Sequence, residues 1–211
     1  MEKRIAEVTQ KAFELFAQYG VKSVSMDDIS RELGISKKTL YQLVKDKNSL
    51  VMTVIDDMRD SFKQSLQVFH DTSYSAIEQF FVMGRSMNDS YGDIQAAFVR
   101  DMQKYHPNVN RTAIVEKDEI LEEAFLANIK HGKAEGFYYE DIDDEIVSKI
   151  LLSFHKYLLG PSSDAFPELE AKKTVHSEVF KYHFRGICTP KGIAELENQM
   201  KKNAPNCEFM K

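Results

Sequence analysis

Polar side chains that could contact phosphates and base edges of a nucleic acid cluster in residues 36–48. This segment carries four lysines against one aspartate. In a helix that begins after Ser36, a turn of about 100° per residue places Leu40, Leu43 and Val44 on one inward face. Lys38, Tyr41, Gln42 and Lys45 then face outward, with Thr39 on the flank and Lys37 in the exposed first turn. Ammonium, phenol, hydroxyl and amide groups suit phosphate and base-edge contacts, although a merely solvated helix face would show the same pattern.

A second short helix comes before this one and positions it. Ser25 is a candidate N-cap, and Asp28 three residues later completes a capping box. Gly34 is expected to end the helix, because glycine adopts the left-handed conformation without strain. Ser36 caps the helix that follows. Two short helices joined by a three-residue turn with a glycine form a helix-turn-helix layout.

The first helix is predicted over about Glu2–Tyr19, where apolar residues recur every three or four positions. Gly20 is expected to end it. The helix should pack on the helix-turn-helix pair and complete a three-helix head, which Val21, Val24 and Met26 would close. The apolar stripe consists of Ile5, Val8, Ala12, Leu15, Phe16 and Tyr19.

Charge is unevenly distributed along the 211 residues, whose net charge is −5. Residues 1–50 hold nine basic and seven acidic groups, a net of +2, so the remainder carries −7. A basic head on an acidic body suits a DNA-binding protein whose body stays away from the phosphates, although the acidic body alone would suit any soluble protein. The sequence has no apolar run long enough to span a membrane and no signal peptide. Two late thiols, Cys188 and Cys207, form no disulfide framework, which is typical of a cytoplasmic protein.

Three stretches together resemble the N-terminal domain of TetR-family transcriptional regulators over roughly residues 5–55. They read FAQYG, SVSMDDISRELGISKKTLY and KDKNSL, in that order. The resemblance implies that the second helix of the pair lies in the major groove of DNA. It further implies that Ser25 and Lys47 contact phosphate. The residues implied to face DNA are Lys37, Lys38, Thr39, Tyr41 and Gln42.

This chain departs from the usual pattern of that family at its recognition helix. Lys38 stands where the family usually has glycine, and Gln42-Leu43-Val44 stands where it often has Tyr-His-Phe. Gln42 can bond an adenine edge, whereas Leu43 cannot replace a histidine–phosphate contact. The operator sequence therefore cannot be taken from relatives.

The rest of the chain reads as further helices, so the predicted fold class is all-α. A helix-turn-helix DNA-binding domain (residues 1–47) is followed by a larger helical domain for effector binding and dimerisation (residues 48–211). A break is expected near residues 90–92, and His106-Pro107-Asn108 is expected to end a helix. The predicted helices cover about residues 46–70, 74–88, 93–105, 111–132, 145–160, 167–186 and 191–203.

Methionines and aromatic residues of the larger domain could line a small-molecule cavity, because such side chains form adaptable apolar walls. The resemblance implies a cavity in this region without saying which side chains line it. For each residue a packed core is the competing interpretation, and for the two polar candidates a satisfied or surface group. The apolar candidates are Phe80, Met83, Met87, Phe98, Met102, Tyr105 and Phe125, and the polar ones are Asn128 and His155.

The helices over about 146–160 and 167–186 carry more apolar surface than one side needs. The resemblance implies that this pair forms a four-helix bundle with a second copy of the chain. His176 and His183 lie two turns apart and could share a face. An interface or a solvated edge is favoured for them over a metal site.

These patterns predict a homodimeric, ligand-responsive transcription factor, with a repressor favoured and an activator left open. It would bind a palindromic DNA operator and be released by an unidentified small molecule. No catalytic motif, phosphate loop or metal-ligand set is found, so neither an enzyme nor a cofactor is expected, and neither is a membrane partner. The alternative is a helical protein–protein adaptor, or a ligand-binding protein without sequence-specific DNA binding.

Overall fold

The computed structural model describes residues 2–91, 96–159 and 169–203, and within these ranges the side chains of residues 2, 87–91, 96, 157–159 and 169–176 are not described. The described residues are almost entirely helical, which confirms the all-α prediction. The elements are α1 (Glu2–Tyr19), α2 (Met26–Glu32), α3 (Lys37–Leu43), α4 (Lys47–Ser65), a 3₁₀ helix (Leu66–His70), α5 (Ala76–Tyr91), α6 (Ala96–Tyr105), α7 (Pro107–Ala134), α8 (Asp144–Leu159), α9 (Leu169–Ile187) and α10 (Pro190–Asn203).

The chain divides into two compact units. The first unit comprises Met1–Phe62 and Ser90–Lys117, and the second comprises Lys63–Asp89 and Asp118–Lys211. The first unit thus contains α6 and the start of α7 in addition to the three-helix head. The domain boundary predicted after residue 47 is a functional division, and it stays a prediction.

The first unit is built around one apolar core. Ala12 and Phe16 of α1 are fully buried, as are Ile29 of α2 and Leu40 of α3. The predicted inward face of α3 is confirmed, because Val44 is also buried and Leu43 packs against the same core. Tyr19 was expected on the apolar stripe of α1 but is 53% exposed, because its position at the last turn extends past the core.

The helix ends of the head follow the predicted local rules. Gly20 and Gly34 have φ values of +82° and +64°, so both adopt the left-handed conformation that ends a helix. Ser25 and Asp28 form the reciprocal capping box at the start of α2. The hydroxyl of Ser36 accepts a hydrogen bond from the Thr39 amide at 3.1 Å and caps α3. These caps satisfy backbone groups that the first helical turn leaves without partners.

Two predicted helix boundaries are wrong. The α-helix over 46–70 ends at Ser65 and tightens into a 3₁₀ turn, in which Leu66 and Phe69 are buried. The helix expected from about residue 111 starts at Pro107, directly after α6 has ended at Tyr105 as predicted, because proline suits the first helical position, where no amide hydrogen is needed. For the break expected near 90–92, α5 extends to Tyr91, and Gly92 lies outside the described residues.

The second unit combines an aromatic core with a buried polar network. The side-chain amide of Asn128 in α7 donates to the backbone carbonyl of Ala76 at 2.7 Å and to the side-chain oxygen of Gln79 at 2.8 Å. The side-chain oxygen of Asn128 accepts from the Tyr138 hydroxyl at 3.1 Å. Gln79 also donates to the Asp71 carbonyl at 3.0 Å. All three side chains are almost completely buried. A network of this kind fixes the start of α5 and the link after α7 against the middle of α7.

The link between α7 and α8 is fastened to the α9–α10 corner by backbone pairing. Tyr138 and Cys188 form an isolated antiparallel bridge. The Tyr139 amide donates to the Ile187 carbonyl at 3.0 Å, and the Thr189 amide donates to the Phe137 carbonyl at 2.8 Å. Burial raises the pKa of the Cys188 thiol to about 12, so the group is kept as an uncharged core side chain.

Candidate DNA interface and effector region

Helix α3 has a polar outer face and an apolar face that is buried in the core. Leu40 has no exposed surface and anchors the helix in the core of the first unit. Tyr41 is 51% exposed, and Lys38 and Gln42 are exposed beside it. Residues 38, 41 and 42 therefore lie on one accessible surface, as the periodicity predicted. Their contact with DNA stays a prediction.

The first turn of α3 is held by polar contacts to its own cap and to α2. The Lys37 ammonium forms an ion pair with the Asp27 carboxylate at 2.5 Å, with both side chains more than half exposed. The Thr39 and Ser36 hydroxyls lie 2.8 Å apart and share a hydrogen bond. Two of the residues predicted to face DNA are thus already engaged by neighbouring side chains in the free protein.

Ser25 is likewise engaged. Its hydroxyl donates to the Asp28 carboxylate at 2.6 Å and accepts from the Asp28 amide at 3.2 Å. The Ser25 hydroxyl and the Ser25 backbone amide, which donates to the same carboxylate at 2.9 Å, hold the pKa of the Asp28 carboxyl below its usual range, with a smaller contribution from the Arg31 guanidinium. A phosphate contact from this serine would require its hydroxyl proton to turn away from Asp28.

Lys47 stands at the first position of α4, behind a second reciprocal cap that the sequence interpretation missed. The Asp46 amide donates to the Ser49 hydroxyl at 3.0 Å, and the Ser49 amide donates to the Asp46 carboxylate at 2.7 Å. Partial burial lowers the pKa of the Lys47 ammonium, and the carboxylates of Asp101 and Asp28 oppose this change. Lys47 is consequently a cation in a partly desolvated position, where its charge acts more strongly than in water.

The described residues among the nine that were predicted to line an effector cavity are divided between the two units. Phe80, Phe125 and His155 meet in the second unit, where ring centroids of Phe80 and Phe125 lie 5.9 Å apart and those of Phe125 and His155 6.4 Å apart. Met83 lies on the same helix as Phe80 and is half-buried. Asn128 is also in this unit, but both of its amide hydrogens and its oxygen are used by protein groups. A ligand contact from Asn128 would have to replace one of these bonds.

The other candidates lie elsewhere. Phe98 and Met102 of α6 pack into the apolar core of the first unit. Tyr105 is 42% exposed in that unit, with the ammonium groups of Lys22 and Lys104 at 5.3 and 5.4 Å from its ring centroid. The side chain of Met87 lies outside the described residues. An effector role for these residues stays a prediction, and the four described together in the second unit are Phe80, Met83, Phe125 and His155.

Further aromatic side chains that were not predicted as effector residues join the cluster in the second unit. The ring centroids of Phe180 and Phe184 on α9 lie 4.3 Å apart, and those of Phe184 and Phe80 lie 4.9 Å apart. His183, expected at an interface or a solvated edge, is only 7% exposed and lies beside Phe154 and Phe184, so a solvated edge is wrong. The side chain of His176 lies outside the described residues. Apolar spacing along α9 could have indicated Phe180 and Phe184, but the depth of His183 depends on the packing of α8.

The described residues contain neither a metal site nor a membrane span. No group of three or more histidine, cysteine or acidic side chains there could hold a metal ion. No described helix is long and apolar enough to cross a membrane.

Residues 8–53 match the family described as "Bacterial regulatory proteins, tetR family". This range begins in α1 and ends in the first turns of α4, so it covers the whole helix-turn-helix. The match confirms the resemblance that was seen in the three sequence stretches.

Two curated relatives are named as helix-turn-helix (HTH) regulators. The chain is 28% identical over 136 residues to the uncharacterized HTH-type transcriptional regulator YvaF of Bacillus subtilis, a match covering 63% of this chain and 70% of the relative. It is 38% identical over 76 residues to an HTH-type transcriptional regulator of Staphylococcus aureus, covering 36% of this chain and 40% of that protein. The chain thus spans less than half of the length of the staphylococcal relative.

A solved structure shows that the likeness in fold extends beyond the head. The gamma-butyrolactone receptor described as an ArpA-like protein superimposes on this chain with a TM-score of 0.62. The match covers 97% of each chain, and the two sequences are 14% identical. At this identity the comparison concerns the fold alone. The family match thus covers the head, and the similarity in fold covers nearly the whole chain.

Proposed function

We propose that this chain, a TetR-family transcriptional regulator with a helix-turn-helix DNA-binding domain, acts as a homodimeric repressor. It binds a palindromic operator, from which a small molecule releases it. The observation that carries the DNA-binding part is the polar outer face of α3, with Lys38, Tyr41 and Gln42 exposed above the buried Leu40. Such a face can enter the major groove while α2 crosses the backbone.

The proposed dimer rests on the surface of α8 and α9. Ile146 and Ile150 lie one helical turn apart on α8 and are 57% and 42% exposed, and Tyr182 of α9 is 75% exposed. Large apolar side chains in such positions are typical of a surface that a partner covers. In a two-fold dimer, recognition helices about 34–36 Å apart would reach successive major-groove faces of the operator.

The proposed effector site rests on the aromatic cluster of the second unit. Phe80, Phe125, Phe180 and Phe184 supply flat apolar surfaces, which suit an apolar or partly apolar small molecule. The receptor that shares the fold is named for a gamma-butyrolactone, and only the capacity of the fold to hold a small ligand is taken from it. An effector that favours a body shape with another spacing of the heads would weaken operator binding by about 5–150-fold, a coupling of roughly 1–3 kcal/mol.

A direct test of the proposal is selection of bound duplexes from a library of genomic fragments at moderate salt. The expected result is enrichment of a palindromic sequence that the purified protein shifts in a gel. Binding without sequence preference, or no binding at all, would contradict the proposed function.

Two substitutions separate backbone from base contacts. Lys47→Ala should weaken binding to all duplexes and reduce the slope of log affinity against log salt by about 0.9, because one phosphate contact is lost. Gln42→Ala should instead change base preference at one position of the selected site, at a cost of about 1–3 kcal/mol for the preferred base. Lys130→Ala removes an exposed lysine of α7 in the second unit and serves as the control for overall charge. Equal salt slopes for Lys47→Ala and Lys130→Ala would remove Lys47 from the interface.

The alternative function, a helical adaptor using the apolar surface of α8 and α9, predicts a different behaviour in solution. An adaptor would be a monomer with no duplex preference, whereas the regulator would be a dimer that selects DNA. Size-exclusion chromatography with light scattering, combined with the duplex selection, separates these two functions.

A further inference from the structure

Asp101 of α6 reaches the turn between α1 and α2. Phe98 and Met102, on the neighbouring positions of α6, are buried in the core of the first unit and fix the orientation of this helix. The Asp101 carboxylate accepts a hydrogen bond from the Lys22 backbone amide at 2.7 Å. A charged acceptor makes such a bond shorter and stronger than one between neutral groups.

The approach of Asp101 to this turn is close. A Cβ atom added to Gly20 would lie 2.7 Å from the Asp101 carboxylate oxygen and 3.3 Å from the Cβ atom of Ala97. The turn continues through Val21 and Val24, both buried, to Ser25 at the cap of α2. Asp101 therefore holds the segment that sets where α2 begins.

Asp101 also acts on Lys47, at the first position of α4. Burial lowers the pKa of the Lys47 ammonium, and Asp101 is the largest of the influences that raise it again, ahead of Asp28. His106, which follows α6, interacts with both Lys47 and Asp101. The charged or titratable groups that act on Lys47 in the first unit are Asp28, Asp101 and His106, so Asp101 is the main counter-charge that reaches it from α6.

We propose that Asp101 is a positioning residue for DNA binding, whose carboxylate holds the Lys22 amide and so fixes the turn leading into α2. This inference rests on the proposed function. It extends the DNA-binding machinery from the head to α6, because the carboxylate contacts the turn that leads to Ser25.

The turn contact of Asp101 can be separated from its charge with two substitutions. Asn in place of Asp101 retains a carbonyl oxygen that can accept from the Lys22 amide but removes the charge, whereas Ala removes both. At pH 7.5, Asp101→Ala should bind the selected operator about tenfold more weakly than Asp101→Asn, since the charge is absent from both variants and only the turn contact differs. Asp60→Asn removes a carboxylate of α4 that is 76% exposed, in the same unit, and is the control for charge alone.

Equal operator affinity for the Ala and Asn variants would overturn the inference while leaving the proposed function intact. Where Asp101→Ala fails to fold, hydrogen exchange of the Lys22 amide in the wild type and in Asp101→Asn decides the matter, since rapid exchange of this amide in both would show that the turn contact is not maintained. Failure of the wild-type protein to bind any selected duplex would instead contradict the proposed function itself.

Discussion

Aspartates accompany three of the basic side chains in the first unit. Lys37 pairs with Asp27, Arg31 pairs with Asp28, and the charge of Asp101 acts on Lys47. The net charge of +2 over residues 1–50 therefore does not show that carboxylates already act on these three cations. Binding of DNA must compete with these local carboxylates as well as with solvent ions.

His183 makes a prediction at the scale of one residue. Burial lowers its pKa from 6.5 to about 4, so the folded protein keeps the imidazole neutral where the unfolded chain binds a proton. The stabilisation is complete above the unfolded pKa and is lost as pH falls from 6.5 toward 4, by about 3 kcal/mol at most. Urea unfolding of His183→Leu at pH 7 and pH 4.5 should show a smaller acid-induced loss than the wild type.

The control for this experiment is His70→Leu, because His70 is exposed on the 3₁₀ helix. That variant should keep the wild-type difference in unfolding free energy between the two pH values. An identical acid-induced loss in His183→Leu and the wild type would contradict the prediction.

Local rules predicted single residues well where the cause was local. The caps at Ser25 and Ser36 and the left-handed Gly20 and Gly34 depend on neighbours within a few positions. The environment of His183 could not be predicted, because a helical stripe does not reveal whether its edge meets solvent or another helix. Asn128 shows the same limit, since Gln79 and Tyr138 reach it from segments 49 and 10 positions away.

At the scale of elements, α6 shows how far apolar periodicity can be taken. Its spacing predicts a buried face, and Phe98 and Met102 do pack with residues of α1, α2 and α4 in the first unit. Their role in effector binding stays a prediction. Periodicity identifies a buried face, but it carries no information on which core that face joins.

The α1–α2 turn makes a prediction at this scale. Gly20→Ala should destabilise the first unit by about 2–4 kcal/mol, because strain at positive φ adds to the contact with Asp101 and Ala97. Gly34→Ala, at a similarly positive φ with open space around the added atom, should cost only the strain of about 1–2 kcal/mol. Hydrogen exchange of buried amides in α1 measures the difference, and an equal loss of protection in both variants would contradict it.

At the scale of the whole molecule, the fold class was predictable and the division of the chain was not. Continuous 3–4 spacing from α1 to α10 left little room for strands, so an all-α fold followed from the sequence alone. The two compact units each combine distant segments, with α6 and the start of α7 placed in the first. Such a division depends on contacts between segments tens of residues apart, which spacing along one helix cannot specify.

The proposed dimer gives a prediction for the complete chain. Ile150→Glu should convert the dimer into a monomer, because a carboxylate in a closed apolar interface loses its hydration. Operator affinity should fall with it, since one head then binds alone. Light scattering after size exclusion measures the change, with Tyr139→Glu, at a 43% exposed position outside α8 and α9, as the control. A dimer that persists in Ile150→Glu would place the interface elsewhere.

The ion pair between Lys37 and Asp27 has a consequence for the stoichiometry of complex formation. When Lys37 turns from Asp27 to a phosphate, the DNA gives up a condensed cation, and the freed carboxylate attracts a cation from the medium. This contact is therefore an exchange of partners, and its net release of ions is reduced. The number of ions liberated by the operator complex should be smaller than the number of basic side chains that touch its backbone.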